Sequence, residues 1–106
     1  MRAFGFLSFG HYGHSPGSVA RTSAEMIRQA VEIGVGADAL GVNGAYFRVH
    51  HFARQQAAPM PLLAAIAART RRIEVGTGVI DMRYENPLYL AEEAAAVDAI
   101  AKGRIA

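Results

Sequence analysis

The feature that most constrains this chain is the alternation of two hydrophobic patterns along it. Three short apolar stretches, bounded by glycine or polar loops, read as buried strands: Ala3 to Phe9, Ala45 to Val49 and Ile73 to Ile80. After each comes a stretch with the helical period. The first helix opens at a capping box, Thr22-Ser23-Ala24-Glu25. It carries the stripe Met26, Ala30, Ile33, Ala37 and Leu40, and Gly41 closes it. Its interior Gly34 and Gly36 each cost about 1 kcal/mol relative to alanine, which points to close approach of another backbone. The second helix runs from Leu62 to Arg69 with Pro61 at its first position. The third is capped by Asn86 with Pro87 at N1, carries Leu90, Ala94, Val97 and Ala101, and ends at Lys102-Gly103. Arg104-Ile105-Ala106 reads as the start of a fourth strand.

The order β-α-β-α-β-α implies an α/β fold with parallel strands and right-handed crossovers. Three strands cannot close a barrel, and a parallel sheet needs both faces covered. The expectation is therefore that residues 1–106 form the first part of something larger, or half of an assembly, ending where strand four begins. Open edges at strands one and three would invite association, so a homo-oligomer is expected.

Composition enters mainly through what it excludes. Hydrophobic residues make up 52% and charged residues 19%, which is globular and not disordered. A net charge of +2 gives no argument for a nucleic-acid partner. The arginines are scattered except for Arg69, Arg71 and Arg72, beside a predicted helix end where cations suit the dipole. There is no cysteine, so disulfides and thiolate metal sites are excluded. No apolar run reaches membrane-spanning length, and a cytoplasmic setting is expected.

Chemistry concentrates where the strands end, as expected of parallel α/β proteins. Ala45 to Phe52 runs from a strand into two adjacent histidines, His50 and His51. Histidine suits proton transfer near neutral pH. Neighbouring strand residues point to opposite faces, so one of the pair faces any given pocket and the other packs or is solvated. The loop Gly10 to Ser18 holds His11 and His14, with no acidic or Cys partner nearby to complete a metal site; no metal is expected. Tyr12 and these histidines would touch a substrate if the loop lies at a pocket mouth. Gly76 and Gly78 interrupt the third strand, marking a bulge or a close backbone approach. Asp81 to Glu85 reads as a charged loop that follows a strand end. Asp98 and Arg104 read as an ion pair or cap near a helix end.

In this order the motifs resemble the N-terminal portion of the bacterial luciferase-like family of flavin-dependent monooxygenases. His50-His51-Phe52 resembles the family's pair after strand two, and Ile73 to Val79 its third strand. Asn86-Pro87-Leu88 with Ala91-Glu92-Glu93 resembles the start of its third helix. Val97-Asp98 with Lys102-Gly103-Arg104 resembles the signature before strand four. The resemblance implies about three βα units of a TIM (β/α)8 barrel. It implies reduced FMN, supplied by a separate flavin reductase, and O2, which oxidise a small organic substrate through a flavin hydroperoxide. His50 matches the catalytic histidine at the flavin. Thr77, Gly78 and Val79 match the cofactor-binding strand end, with a cis peptide between Gly78 and Val79. The flavin phosphate is held in this family mostly from strand four onward, outside this chain. Many members carry Glu where this chain has Val49, and Asp where it has Asn43. Two alternatives stand beside this expectation. One is an F420-dependent oxidoreductase of the same fold family. The other is a non-catalytic truncated homologue acting as a folding or dimerisation partner.

Overall fold

A computed structural model describes residues 2–106. Its elements are β1 (Gly5–Ser8), α1 (Ser23–Ala39), β2 (Gly44–Phe47), α2 (Pro59–Ala68), β3 (Glu74–Thr77), a 3-10 turn (Met82–Tyr84) and α3 (Pro87–Ala101). The strands form one parallel sheet in the order β1-β2-β3, with Leu7, Tyr46 and Gly76 in one row. Beyond β3 the chain begins to add a strand: Val75 donates to Arg104 and accepts from Ala106, both at 2.9 Å.

Period-two alternation decides which face the helices cover. Ala45, Phe47, Ile73 and Val75 lie at 0–2% exposure against the helices. Leu62, Leu63, Ile66 and Ala67 of α2 meet them, and α2 packs between α1 and α3. That central position explains why Pro59–Ala68 is apolar almost throughout. Full burial of each large aliphatic or aromatic side chain here contributes about 1.5–3 kcal/mol. The opposite face of the sheet carries Leu7, Tyr46 and Arg48, all partly or largely open.

Several boundaries and faces depart from what the sequence suggests. The strands are shorter than their apolar runs, because pairing holds only over a four-residue register. On α1 the buried line is Met26, Ala30, Gly34 and Ala37, while Ile33 and Leu40 are exposed. The line runs through Gly34 because a Cβ there would stand 2.8 Å from Ile66 Cγ2. The close neighbour is thus a side chain, not a backbone, and Gly36 faces open space. Helix α2 starts at Pro59, not Leu62, and Pro59 is the proline at the first position. The Asp81–Glu85 segment contains a 3-10 turn.

The caps follow the sequence more closely. Thr22 Oγ1 accepts from the Glu25 amide at 3.1 Å, and Glu25 reaches back to the Arg21 amide at 2.8 Å. Asn86 Oδ1 accepts from Leu88 and Tyr89. Gly41 takes the left-handed conformation after α1, with φ 85°.

Polar ties gather at the N-terminal ends of the strands. Asn43 exchanges hydrogen bonds with Phe4 through its side chain and amide, and its carbonyl accepts from Glu74. Asp38 accepts from the amides of Arg71, Arg72 and Ile73 at 2.9–3.1 Å. Burial works against its charged form, but these three donors and the Arg72 charge hold its carboxyl below the usual value of 3.8. Asp98 and Arg104 form no ion pair. Asp98 Oδ1 accepts from the Ile105 amide. The Arg104 guanidinium caps the α2 end instead, bonding Ala67 O and Thr70 O, together with Ile73 O, Thr70 Oγ1 and Ala101 O. A planar fork of five donors matches so many convergent oxygens, and a single carboxylate would use only part of it.

Candidate functional site

The C-terminal ends of the three strands bring His50, Gly78 and Val79 together. Pairing between β2 and β3 continues past the regular strands: Gly78 N donates to Phe47 O at 2.9 Å, and Val49 N to Val79 O at 3.0 Å. The peptide between Gly78 and Val79 is cis. These bonds fix it directly beside the start of the histidine pair. Burial alternates up β2, with Ala45, Phe47 and Val49 under the helices and Tyr46, Arg48 and His50 on the open side. His50 is exposed on that side. Its Nδ1 lies 3.0 Å from the His51 carbonyl. A carbonyl only accepts, so Nδ1 is the donor in this contact and Nε2 is left for another partner.

Gly78 shapes the surface next to it. A Cβ there would stand 3.1 Å from Leu7 Cδ1 and 3.6 Å from Tyr46 Cβ. Without one, Leu7, Gly78 and the exposed Val79 leave a low apolar floor at the strand ends. The flat face of a flavin ring suits such a floor, and the His50 imidazole beside it offers a hydrogen-bonding group. The residues present fit the ring of a flavin. Thr77 is not brought to this floor through its side chain, since it shares the helix-facing side with Val75.

His51 lies elsewhere. It is half-buried, its ring 5.1 Å from Tyr84 and 6.1 Å from Phe52, and Nε2 is 3.7 Å from Glu85 Oε1. Phe52, at φ 60°, turns the chain immediately after the pair and packs edge-on to Tyr84 at 5.4 Å. This cluster joins the segment after β2 to the 3-10 turn after β3. The sequence signalled Tyr84 and Glu85 only as part of a charged loop after a strand. The aromatic spacing that links them to His51 crosses 33 residues and has no local pattern.

A second grouping lies between the loops that follow β1 and β2. His11, Tyr12, Gly13, Ser15, Ser18, Arg54 and Gln55 contribute to a cavity of about 480 Å³, the size of a small-molecule site. Tyr12 N donates to Arg54 O at 3.2 Å, which holds the two loops together. His11 stacks on Phe9 with parallel rings 5.9 Å apart, and Arg48 lies 5.3 Å over the same Phe9 ring. At the opposite, N-terminal end of the sheet, Tyr46 donates to Glu74, whose carboxylate raises the Tyr46 pKa. Among the described residues no group of three His, Asp or Glu side chains is placed to hold a metal ion, and no helix is long and apolar enough to cross a membrane.

Comparison with known proteins gives a consistent result. The family model described as luciferase-like monooxygenase matches residues 1–106. Limonene 1,2-monooxygenase of Rhodococcus erythropolis is 31% identical over 105 residues, covering 96% of this chain and 27% of the relative. The oxygenase component of the flavin-dependent trigonelline monooxygenase of Acinetobacter baylyi is 31% identical over 87 residues, 80% of this chain and 24% of the relative. Among solved structures, the monooxygenase RslO1 of Streptomyces bottropensis superposes with a TM-score of 0.83 at 30% identity, covering 98% of this chain and 31% of that one. Two others share the fold at lower identity. The oxygenating constituent of 3,6-diketocamphane monooxygenase from Pseudomonas putida, in complex with FMN, gives a TM-score of 0.82 at 23% identity, covering 97% of this chain and 28% of that one. The coenzyme F420-dependent tetrahydromethanopterin reductase of Methanopyrus kandleri gives 0.71 at 22%, covering 97% and 25%. The chain thus spans about a quarter to a third of the length of the proteins it matches.

Proposed function

Because the chain belongs to the luciferase-like monooxygenase family, we propose that it carries one part of the active site of a flavin-dependent monooxygenase. In this reading reduced FMN, delivered by a separate flavin reductase, and O2 oxidise a small organic substrate. The remaining βα units of a (β/α)8 barrel, the flavin phosphate site, a cytoplasmic setting and self-association belong to the same proposal. The observation that carries it is the placing of His50 beside the side-chain-free floor at Gly78, on one face and at one end of a parallel sheet.

The roles of this chain's residues follow from their geometry. Gly78 and Val79, pinned to β2 through Phe47 O and Val49 N, support the flat face of the flavin. Leu7 extends that support and excludes water from it. His50, with Nδ1–H committed to the His51 carbonyl, presents Nε2 as an acceptor or, when protonated, as a donor. It can hold or move a proton at the edge of the bound ring. When bound, the reduced flavin supplies the electrons that activate oxygen. His51, packed against Tyr84 beside Glu85, positions the backbone carbonyl that orients His50.

Anaerobic titration of the protein with photoreduced FMN tests the reading. Saturable binding is expected, with reoxidation of the bound flavin on mixing with oxygen at a rate distinct from that of free flavin. Reduced F420, tested in parallel, addresses the second reading, which rests on the fold shared with an F420-dependent reductase. Selective binding of F420 would favour it, and binding of neither cofactor would overturn both.

A further inference from the structure

The cavity between the loops after β1 and β2 has an electrostatic character that the flavin floor lacks. Its lining includes one guanidinium, one imidazole, a phenol and two serine hydroxyls from Arg54, His11, Tyr12, Ser15 and Ser18, and no carboxylate. Arg54 is exposed, and its Nη1 lies 3.9 Å from the point where a Cβ on Gly13 would stand. The guanidinium therefore reaches across to the opposite loop. Among the described residues the ion pairs are His51–Glu85, Arg69–Glu32 and Arg83–Asp81. Neither Arg54 nor Arg48 belongs to one. The acids at this end of the sheet, Asp81 and Glu85, follow β3 and are engaged locally. Arg48 and Arg54, which follow β2, have no such partner.

Continuity with the flavin floor runs through one ring. Both His11 of the cavity, with parallel rings, and the Arg48 guanidinium lie against the Phe9 ring. Arg48 is two residues before His50 on the same face. An unpaired guanidinium in a cavity of small-molecule size, connected by a stacked ring to the proposed reaction centre, is suited to the anionic end of a bound molecule.

From this geometry, and resting on the flavin-dependent reading above, we infer that the cavity is the substrate subsite and that Arg54 binds the carboxylate of a small organic acid. The planar fork receives a carboxylate through two parallel N–H···O bonds. Tyr12 and the Ser15 hydroxyl donate to its remaining lone pairs, Ser18 Oγ being committed to Ala20 O at 2.8 Å, and the His11 and Tyr12 rings flank the organic body. The phosphate of FMN offers the same oxyanion chemistry, so the test must separate the two sources.

The probes are benzoate and benzamide, which share shape and differ in charge, followed by ligand-observed NMR on the whole protein. FMN and riboflavin are titrated in parallel. The expected result is that the parent binds benzoate about tenfold more tightly than benzamide, the effect of one hydrogen-bonded charge pair. Arg54→Gln removes that preference and leaves FMN binding and the thermal midpoint unchanged. Arg54→Lys, which keeps the charge without the fork, restores part of the preference. The inference is overturned if the parent does not discriminate between the probes, or if Arg54→Gln keeps the preference. It is also overturned if Arg54→Gln weakens FMN but not riboflavin, since the anion bound would then be the flavin phosphate. Failure of the parent to bind any flavin would instead count against the flavin-dependent reading, with the benzoate preference still read on its own.

Discussion

Replacing Arg104 tests how the helical layer is held to the sheet. Its guanidinium bonds five oxygens, at 2.7 Å to Ala101, 2.8 Å to Thr70 Oγ1, 2.9 Å to Ile73, 3.1 Å to Ala67 and 3.2 Å to Thr70 O. Ala67, Thr70 and Ile73 are 2%, 8% and 0% exposed, so their carbonyls have little access to water once the donor is gone. Five independent bonds at about 1 kcal/mol would sum to about 5 kcal/mol. The two terminal nitrogens are each shared between two acceptors, and Arg104 is itself half-exposed, so some water enters. Arg104→Ala should therefore cost about 3–4 kcal/mol. Arg104→Lys keeps a charge but cannot span α2 and β3 with one ammonium, and should still cost about 2 kcal/mol. Urea denaturation followed by circular dichroism at the helical band is the assay. The midpoint should fall with an unchanged slope, because the surface exposed on unfolding is the same. A loss under about 0.5 kcal/mol for Arg104→Ala would refute the reasoning. So would a lysine variant as stable as the parent.

Three further outcomes are expected. Asp38 has a folded pKa below its unfolded 3.8, so the stability it adds is present above that value and is lost as pH falls through the lower, folded one. Asp38→Asn should cost about 1–2 kcal/mol at neutral pH, and its gap from the parent should close on acidification below about pH 4 in pH-dependent denaturation. In a full-length context, His50→Ala should leave the unfolding midpoint nearly unchanged and lower turnover with reduced flavin by about 100-fold, whereas His51→Ala should cost about 1 kcal/mol of stability through lost contact with Tyr84; a His50→Ala enzyme as active as the parent would contradict the assignment. Gly78→Ala places a Cβ 3.1 Å from the mobile end of Leu7, so folding should change by less than about 1 kcal/mol while FMN affinity falls, as read by fluorescence titration.

Much of this architecture is legible in the sequence because it rests on local chemistry. The Thr22 and Asn86 caps, the Gly41 terminus and the alternation of periods each depend on residues within a few positions of one another, and each holds in the structure. What the sequence does not display are ties over long separations. Gly34 reads as a weak point in a helix until Ile66, 32 residues on, is seen against it. Ile33 belongs to the apolar period of α1 yet is 49% exposed, because the line that meets α2 runs through Gly34 instead. The candidate site divides in the same way. The His50 and Gly78 positions stand out as breaks in strand patterns. The Arg54 cavity depends on two loops meeting through the Tyr12–Arg54 bond, and nothing local announces it.

The positions of the polar ties have a consequence for how such a chain can vary. Asn43, Asp38, Asp98 and Arg104 fix strand register and helix placement from the N-terminal edge of the sheet. None of them bonds to the Gly10–Ser18 loop or to the Phe52–Ala58 loop. The Gly10–Ser18 loop can then lengthen, shorten or exchange residues without altering the frame that aims His50 and Gly78, whereas the Phe52–Ala58 loop is tied to that frame, His50 N donating to Gln56 O at 2.9 Å. One scaffold can hold its cofactor-facing groups constant while the neighbouring recognition surface diverges, and a graft of loop sequences between Gly10 and Ser18 should change which molecules are accepted before it changes whether the chain folds.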